Sequence, residues 1–161
     1  MALTVHAGKI LGLIGPNGSG KSTVMKLIMG IERPDAGAVR IGGTDVAGWP
    51  SHKIARLGAG IVFQHSRPLH RQTVLENIEL ALLPDKLTRL FVDPQTEARA
   101  RAIAKRVGLD TVLDRRPATL PFADLRKIEI AKAIARDPQV LLIDEPFAGL
   151  TPKETEAFSD L

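Results

Sequence analysis

The sequence predicts an α/β fold in which strands near both ends of the chain flank a helical middle. Three observations carry this prediction. A short apolar run at Lys9–Ile14 precedes a glycine-rich loop, and the following segment, Val24–Met29, has the apolar spacing of a helix. The middle of the chain has helical periodicity over long stretches. Near the end, Val140–Ile143 are all apolar, which is typical of a strand buried on both faces.

The first half contains the clearest strand signals. Lys9–Ile14 is predicted to be a buried strand, and Gly30 is expected to end the helix that follows the loop. Glycine pairs between Pro34 and Gly48 separate two short β-like pieces. Gly60–Phe63 is predicted to be another buried strand, which ends at Gln64.

Three helices are predicted for the middle of the chain. The first lies between Thr73 and Leu83. The second starts at Asp93 and Pro94, because proline suits the first helical position, and it stops at Gly108. The third spans Leu125–Arg136 and ends at an Asp-Pro pair. It carries one apolar stripe, formed by Leu125, Ile128, Ala131 and Ile134.

The composition is that of a globular protein with one domain, or one core with an insertion, because 161 residues do not suffice for two full domains. Hydrophobic residues make up 44% and charged residues 25%, which excludes disordered and collagen-like chains. The absence of cysteine excludes disulfides, thiolate zinc sites and a cysteine nucleophile, and it fits a reducing compartment such as the cytosol. We expect neither a membrane span nor an export signal, since no apolar run approaches the roughly 20 residues of a spanning helix.

The net charge of +4 is weak evidence for an anionic partner. Eight of the 22 Lys and Arg residues fall in one stretch with helical periodicity, which favours a solvated helix face over a binding groove. We therefore expect no nucleic-acid partner. The residues assigned to this solvated face are Arg99, Arg101, Lys105, Arg106, Arg115, Arg116, Arg126 and Lys127.

The glycine-rich loop matches the phosphate-binding pattern G-x-x-x-x-G-K-[ST] between a predicted strand and a predicted helix. In such a loop, glycines let backbone N–H groups converge on an anion, the lysine reaches the terminal phosphates, and the Ser or Thr hydroxyl ligates Mg²⁺. The alternative is an ordinary glycine-rich turn, which the flanking elements make much less favourable. The predicted ATP-binding residues are Gly15, Pro16, Asn17, Gly18, Ser19, Gly20, Lys21, Ser22 and Thr23.

An acidic pair follows the last predicted strand. Asp144 is positioned to bind Mg²⁺, directly or through water, and Glu145 is positioned to polarise an attacking water. Taken alone, Asp-Glu-Pro is more often a turn that ends a strand. Together with the upstream loop, it favours a site for phosphoryl transfer.

The sequence resembles the ATP-binding cassette (ABC) ATPases. The motifs are G-P-N-G-S-G-K-S-T at 15–23, I-V-F-Q at 61–64, T-V-L-E-N-I at 73–78 and L-L-I-D-E-P-F-A-G-L at 141–150. The segment after the acidic pair and I-E-I-A-K-A-I-A at 128–135 look most like the ATPase subunits of branched-chain amino-acid transporters.

The resemblance implies a P-loop NTPase core of RecA type at 1–65 and 137–161 and an inserted helical subdomain at 66–136, with the chain incomplete relative to the family. It implies catalytic roles for Lys21, Gln64 and Glu145 and a magnesium site of Ser22, Gln64 and Asp144. Gln64 resembles the glutamine that touches Mg²⁺ or the attacking water. The implied cofactors are ATP and Mg²⁺.

The resemblance also implies partners and a location. They are a second ABC ATPase subunit in a homodimer or heterodimer, membrane-embedded permease subunits and, indirectly, a solute-binding protein. The chain would act at the cytoplasmic face of the cell membrane.

The chain departs from the family pattern in several places. The family's L-S-G-G-Q signature, which caps the ATP of a second subunit, aligns with Leu120–Asp124. Pro121 offers neither hydroxyl nor N–H, Phe122 is bulky where glycine is usual, and Asp124 brings negative charge near phosphate unless a cation compensates. We expect a weakened cap. Thr151 replaces the aspartate usual after A-G-L, which puts communication between the two sites in doubt.

Two features of the family fall outside these residues. Only 14 residues precede the loop, so the aromatic residue that stacks on adenine is missing, as is the switch histidine expected downstream of Glu145. We expect weak activity from this 161-residue piece alone. Two alternatives stay open, namely a regulatory module that binds nucleotide without hydrolysis and a soluble ABC ATPase that acts on nucleic acid or the ribosome.

Overall fold

The structure, a computed structural model, describes residues 2–64, 67–83, 95–145, 147, 148, 152 and 155. The chain divides into two compact units, Met1–Ala59 and Gly60–Leu161. The elements in the described residues are α1 (Lys21–Ile28), β1 (Arg40–Ile41), β2 (Thr44–Asp45), α2 (Ser51–Arg56), β3 (Ala59–Val62), α3 (Val74–Leu82), α4 (Gln95–Arg106), α5 (Phe122–Ile134) and β4 (Val140–Ile143). Two 3₁₀ turns lie at Asp110–Val112 and Pro117–Thr119.

Helix α1 in the first unit ends where the sequence predicts. Gly30 has φ 63°, and its N–H donates to the carbonyl of Leu27 at 3.1 Å, while the N–H of Ile31 donates to Lys26 at 2.9 Å. This is the Schellman pattern, which needs a residue with positive φ just after the helix. The predicted helix and its stop are confirmed.

The two β-like pieces of the first unit form an antiparallel hairpin. Ile41 pairs with Thr44 across a two-residue turn, and both turn residues, Gly42 and Gly43, have positive φ. Glycine adopts this conformation without the steric cost that other residues meet. The buried apolar side chains of this unit are Met29, Ile41, Val46, Ile54 and Ala59.

The strand predicted at Lys9–Ile14 is wrong for this structure. These residues form neither helix nor strand, and the side chains of Ile10 and Ile14 are 101% and 99% exposed. An apolar run becomes a strand only when a neighbour takes its backbone hydrogen bonds, and β1 and β2 pair with each other instead. A short helix that sequence reasoning missed, α2, starts directly after Pro50.

The second unit is built around three helices. Helix α3 packs against α4 and α5. Thr73 caps α3 in a capping box with Glu76, which confirms the predicted helix start. The amides of Val74 and Leu75 donate to the carbonyls of Arg115 and Leu113, so the first turn of α3 has partners for its free N–H groups. The central buried residues are Val74, Ile78, Ala100, Ala104, Val107, Leu109, Leu113, Ile128 and Ala131.

Helix α5 starts earlier than predicted, whereas the predicted start of α4 is not tested. Asp93 and Pro94, the predicted start of α4, lie outside the described residues, and the helix ends before Gly108 at φ 67°. Helix α5 begins at Phe122, three residues before the predicted start at Leu125. Its predicted apolar stripe does face the core, with Ile128 and Ala131 buried and Leu125 and Ile134 packed against them.

Strands β3 and β4 pair in a small sheet, as the predictions of strands at Gly60–Phe63 and Val140–Ile143 require. The N–H of Asp144 donates to the carbonyl of Val62 at 3.0 Å, so the carboxyl ends of both strands lie at the same edge. Within the described ranges, no helix has the length and apolar character needed to cross a bilayer.

Candidate functional site

The phosphate-binding loop occupies the residues before α1. Gly18 and Gly20 have φ of 82° and 91°, the alternation found in backbone concavities that bind anions. A Cβ at position 15 would lie 2.8 Å from the Oγ of Ser19, so a larger residue would displace the Ser19 side chain. The loop residues from Gly15 to Ser19 are exposed, which leaves their polar groups accessible.

Lys21 lies over the same loop. Its Nζ donates to the carbonyl oxygens of Gly15 and Pro16 at 2.8 and 3.0 Å and to the Oγ of Ser19 at 3.5 Å. The amine is thus held at the mouth of the loop, where its positive charge and the N-terminus of α1 both favour an anion. Ser22 is half-buried in the first turn of α1.

In the second unit, the ends of β3 and β4 bring together four residues, Phe63, Gln64, Asp144 and Glu145, which we call the strand-end cluster. The Nε2 of Gln64 donates to the Oε2 of Glu145 at 2.5 Å. The family resemblance implies related roles for these two residues, which are 81 positions apart, and the structure places their side chains in contact. Asp144 is 9% exposed, Glu145 is half-buried and Gln64 is exposed.

Glu145 has an unusual backbone. Its φ is 48°, in the left-handed region that residues with a Cβ rarely adopt. Such a conformation costs about 1 to 2 kcal/mol and persists only where surrounding contacts enforce it. The conformation turns the chain sharply at the end of β4, directly at the residue predicted to be catalytic.

The carbonyl of Glu145 accepts hydrogen bonds from the N–H of Ala148 at 3.1 Å and from Arg126 on α5. The Nη2 of Arg126 donates to the carbonyls of Asp144 and Glu145, both at 2.7 Å, and its Nη1 donates to the carbonyls of Phe63 and Gln64, the latter at 2.8 Å. The side chain is 0% exposed. The assignment of Arg126 to a solvated face is therefore wrong, because a guanidinium with this many carbonyl partners can be buried.

The pKa of Arg126 is shifted by burial and by nearby carboxylates. Burial lowers the pKa of Arg126, while Asp144, Glu129 and Glu145 act in the opposite direction. Arginine nevertheless stays charged in proteins. The residue was missed in the sequence because contacts to backbone carbonyls leave no pattern in the partner residues. The available signal was its spacing of three from Ala123 and four from Ile130, two apolar positions on the same face of the helix.

The segment aligned with the family signature begins α5. Pro121 is its N-cap and makes no side-chain hydrogen bond, and Phe122 is 43% exposed. Asp124 forms an ion pair with Lys127, whose Nζ lies 3.5 Å from Oδ1. The compensating cation that the sequence analysis required is therefore present one turn away. Thr151, the other departure, lies outside the described residues.

The predicted magnesium ligands have the right donor chemistry. Mg²⁺ prefers oxygen ligands and is usually held by one or two carboxylates together with waters and substrate phosphates. Each of the three predicted residues carries an oxygen donor of this kind: a carboxylate in Asp144, a hydroxyl in Ser22 and an amide carbonyl in Gln64. Asp144 is held rigidly, since both its backbone N–H and its carbonyl are hydrogen-bonded.

Comparison with known proteins identifies the family. The family model described as ABC transporter matches residues 1–148. The chain belongs to this family. The high-affinity branched-chain amino acid transport ATP-binding protein LivG of Salmonella typhimurium is 36% identical over 172 residues, which cover 100% of this chain and 68% of LivG. The protein of similar name, BraF of Pseudomonas aeruginosa, is 36% identical over 96% of this chain and 65% of its own length.

The chain also matches relatives whose names refer to another solute. The methionine import ATP-binding protein MetN of Caulobacter vibrioides is 38% identical and matches 100% of this chain and 48% of MetN. Among solved structures, the ATP-binding cassette MJ1267 of an ABC transporter has a TM-score of 0.83 at 29% identity, covering 96% of this chain and 64% of its own. The cassette MJ0796, solved as a dimer in a post-hydrolysis state with ADP and Pi, has a TM-score of 0.83 at 27% identity over 98% of this chain and 69% of its own.

These comparisons confirm the predicted ABC ATPase fold and the resemblance to branched-chain amino-acid transport proteins. The chain has the P-loop NTPase fold of ABC ATPase cassettes. It spans about two thirds of the length of LivG and 64% of the MJ1267 chain.

Proposed function

We propose that this chain binds ATP with Mg²⁺ and hydrolyses it as the ATP-binding subunit of an ABC transporter. The observation that carries the proposal is the hydrogen bond from Gln64 to Glu145 at the carboxyl ends of β3 and β4. An amide beside a carboxylate is the combination needed to orient a water molecule and accept its proton. The phosphate-binding loop with Lys21 supports a nucleotide as the substrate.

In the proposed reaction, one set of residues binds the phosphates and another set activates the attacking water. The loop from Gly15 to Thr23 binds the phosphate chain through backbone N–H groups, and Lys21 attracts the terminal phosphates. Gln64 orients the attacking water, and Glu145 accepts its proton as the water oxygen bonds to the γ-phosphorus. The bond from that phosphorus to the ADP oxygen breaks, and ADP and phosphate leave. Mg²⁺, held by Ser22, Gln64 and Asp144, would neutralise charge on the phosphate oxygens.

The transported solute is proposed from the relatives. LivG and BraF are named for branched-chain amino acids and MetN for methionine, so an apolar amino acid is the solute class we propose. The partners would be a second ATPase subunit, permease subunits in the membrane and a solute-binding protein. The site of action would be the cytoplasmic face of the membrane. Residues 1–65 and 137–161 would form the nucleotide-binding core, and 66–136 the helical subdomain.

The test is ATP turnover by the full-length subunit assembled with its partner subunits. Replacing Glu145 by Gln removes the proton acceptor but keeps an oxygen that accepts from Gln64, so the fold is expected to survive. We expect kcat to fall by about 10² to 10⁴, the usual contribution of a general base, while ATP binding is retained. Glu97→Gln is the matched control, since Glu97 is exposed and pairs only with Arg101 among the contacts described.

A second candidate function is a regulatory module that binds nucleotide without hydrolysis. The observation that favours it is the start of α5, where Pro121 provides no side-chain cap and Phe122 stands where the family has glycine. In that case Glu145→Gln would leave turnover at the same background value as the unmodified protein. ATP would still change the stability of the assembly, measured as a shift of its melting temperature.

A further inference from the structure

We propose that Arg126 is a positioning residue for ATP hydrolysis, because it fixes the backbone from which Gln64 and Glu145 project. The inference rests on the proposed function, and it adds a residue that touches neither water nor phosphate in that reaction. It explains how two residues 81 positions apart in sequence are held in contact.

The guanidinium of Arg126 binds the carboxyl ends of two strands at once. The Nη1 side binds the carbonyls that follow β3, at Phe63 and Gln64, and the Nη2 side binds the carbonyls that follow β4, at Asp144 and Glu145. The guanidinium is planar and rigid, so the two pairs of carbonyls cannot shift independently while these bonds are made. The separation of the two catalytic side chains is set by the same group.

The contact from Arg126 also stabilises the strained backbone turn at Glu145. With φ at 48°, the backbone of Glu145 tends to relax toward ordinary extended or helical values. A charged donor on its carbonyl opposes that relaxation, because hydrogen bonds with an ionised partner are stronger than neutral ones. Relaxation would swing the carboxylate away from Gln64 without unfolding the strand.

Packing alone does not account for a charge at this position. A buried ion costs desolvation free energy, and an apolar side chain of similar volume would fill the same space at no such cost. The Nε of Arg126 is buried without a hydrogen-bond partner among the described residues, so the site is built around the two Nη groups. A lysine at 126 keeps the charge but cannot present two pairs of donors in one plane.

The experiment compares Arg126→Lys and Arg126→Gln with Arg101→Met, a surface arginine variant, in the full-length subunit assembled with its partners. We expect kcat to fall by up to about 100-fold in both Arg126 variants, the effect of misplacing a catalytic group by roughly 1 Å. The dissociation constant for a non-hydrolysable ATP analogue is expected to stay unchanged, as is kcat in Arg101→Met. Equal loss of ATP-analogue binding and turnover would overturn the proposal, since it would indicate general structural damage.

A double-mutant cycle separates positioning from stability. If Arg126 acts through Gln64, Arg126→Lys lowers kcat much less in a Gln64→Ala background than in the unmodified protein. Multiplicative losses would overturn the inference. An unmodified protein without turnover would refute the proposed function instead, and hydrogen exchange then tests Arg126. We expect faster exchange of the Asp144 amide in Arg126→Lys or Arg126→Gln, whichever folds, with no change in α3, and unchanged exchange at Asp144 would overturn the proposal.

Discussion

Asn77 offers the sharpest stability prediction in the second unit. It is 1% exposed on α3 and bonds to the chain segment before that helix. Its Oδ1 accepts from the N–H of Leu69 at 2.8 Å, and its Nδ2 donates to the carbonyls of Leu69 and Thr73 at 3.1 and 2.8 Å. A further contact from Nδ2 to Gln72 at 3.5 Å is at the limit of a hydrogen bond. The side chain therefore ties residues 69–73 to α3.

Replacing Asn77 by Ala removes the three short bonds. At about 1 kcal/mol each, their loss costs about 3 kcal/mol, and the better helix propensity of alanine returns about 0.6 kcal/mol. We expect the free energy of unfolding to fall by about 2 to 3 kcal/mol. Thr73→Ala, which loses the cap accepted by Thr73 Oγ1 at 3.2 Å, serves as the smaller comparator at about 1 kcal/mol.

Urea unfolding followed by circular dichroism measures both values. Asn77→Asp provides a second check, because it keeps the acceptor for the Leu69 N–H but points a carboxylate oxygen at two carbonyls. At neutral pH it should destabilise at least as much as alanine does, and acid should reduce the difference as the carboxylate is protonated. A loss below about 1 kcal/mol in Asn77→Ala would refute the assignment of these bonds as net stabilising.

Three further changes test other parts of the molecule. Gly30→Ala should lower the free energy of unfolding by more than about 1 kcal/mol, because φ is 63° and the new Cβ would lie 2.2 Å from the Trp49 carbonyl oxygen. Gly37→Ala is the control, since φ is 99° but no atom lies within 4 Å of the new Cβ, and it should cost less in the same thermal unfolding assay. Burial, and then the charges of two nearby glutamates, raise the pKa of Glu79 above its usual 4.5, so stability falls as pH rises through the raised pKa. Glu79→Gln should therefore raise the melting temperature at pH 7, and an equal gain at about pH 4 would contradict this cause. Asp124→Gln should increase ATP turnover of the assembled complex by less than about fivefold, because Lys127 already compensates part of this charge and the remainder is worth at most about 1 kcal/mol. A decrease would count against a weakened cap.

Local signals in the sequence predicted most elements of the fold. The helical pattern between Thr73 and Leu83 predicted α3, and the structure adds a capping box of Thr73 and Glu76 at its start. The apolar run Val140–Ile143 forms β4, and the glycine pair at 42 and 43 turns the hairpin. Each of these depends on residues close in sequence, whose preferences act without the rest of the chain.

The predictions that fail depend on distant partners. Lys9–Ile14 has the composition of a strand, but strand formation needs a neighbour in hydrogen-bonding register, which its own residues cannot specify. The prediction that Arg126 lies on a solvated face is wrong because distant partners bind its side chain. Its charge suggests solvent, yet carbonyls 62 and 63 positions upstream and 18 and 19 positions downstream bind it. The pattern of residues within α5 does not indicate where those carbonyls lie.

The two candidate functions can be weighed by where the departures from the family pattern fall. Three of these departures lie in the first turn of α5 and at its cap, namely Pro121, Phe122 and Asp124. The strand-end cluster carries none of these departures, and its Gln64–Glu145 contact is made. In the proposed dimer a poor cap would weaken closure, whereas the proposed chemical step depends on the strand-end cluster. A buried arginine and a strained backbone at Glu145 both carry a free-energy cost, which a chain that only bound nucleotide would have no need to retain. This argument favours hydrolysis over a purely regulatory role.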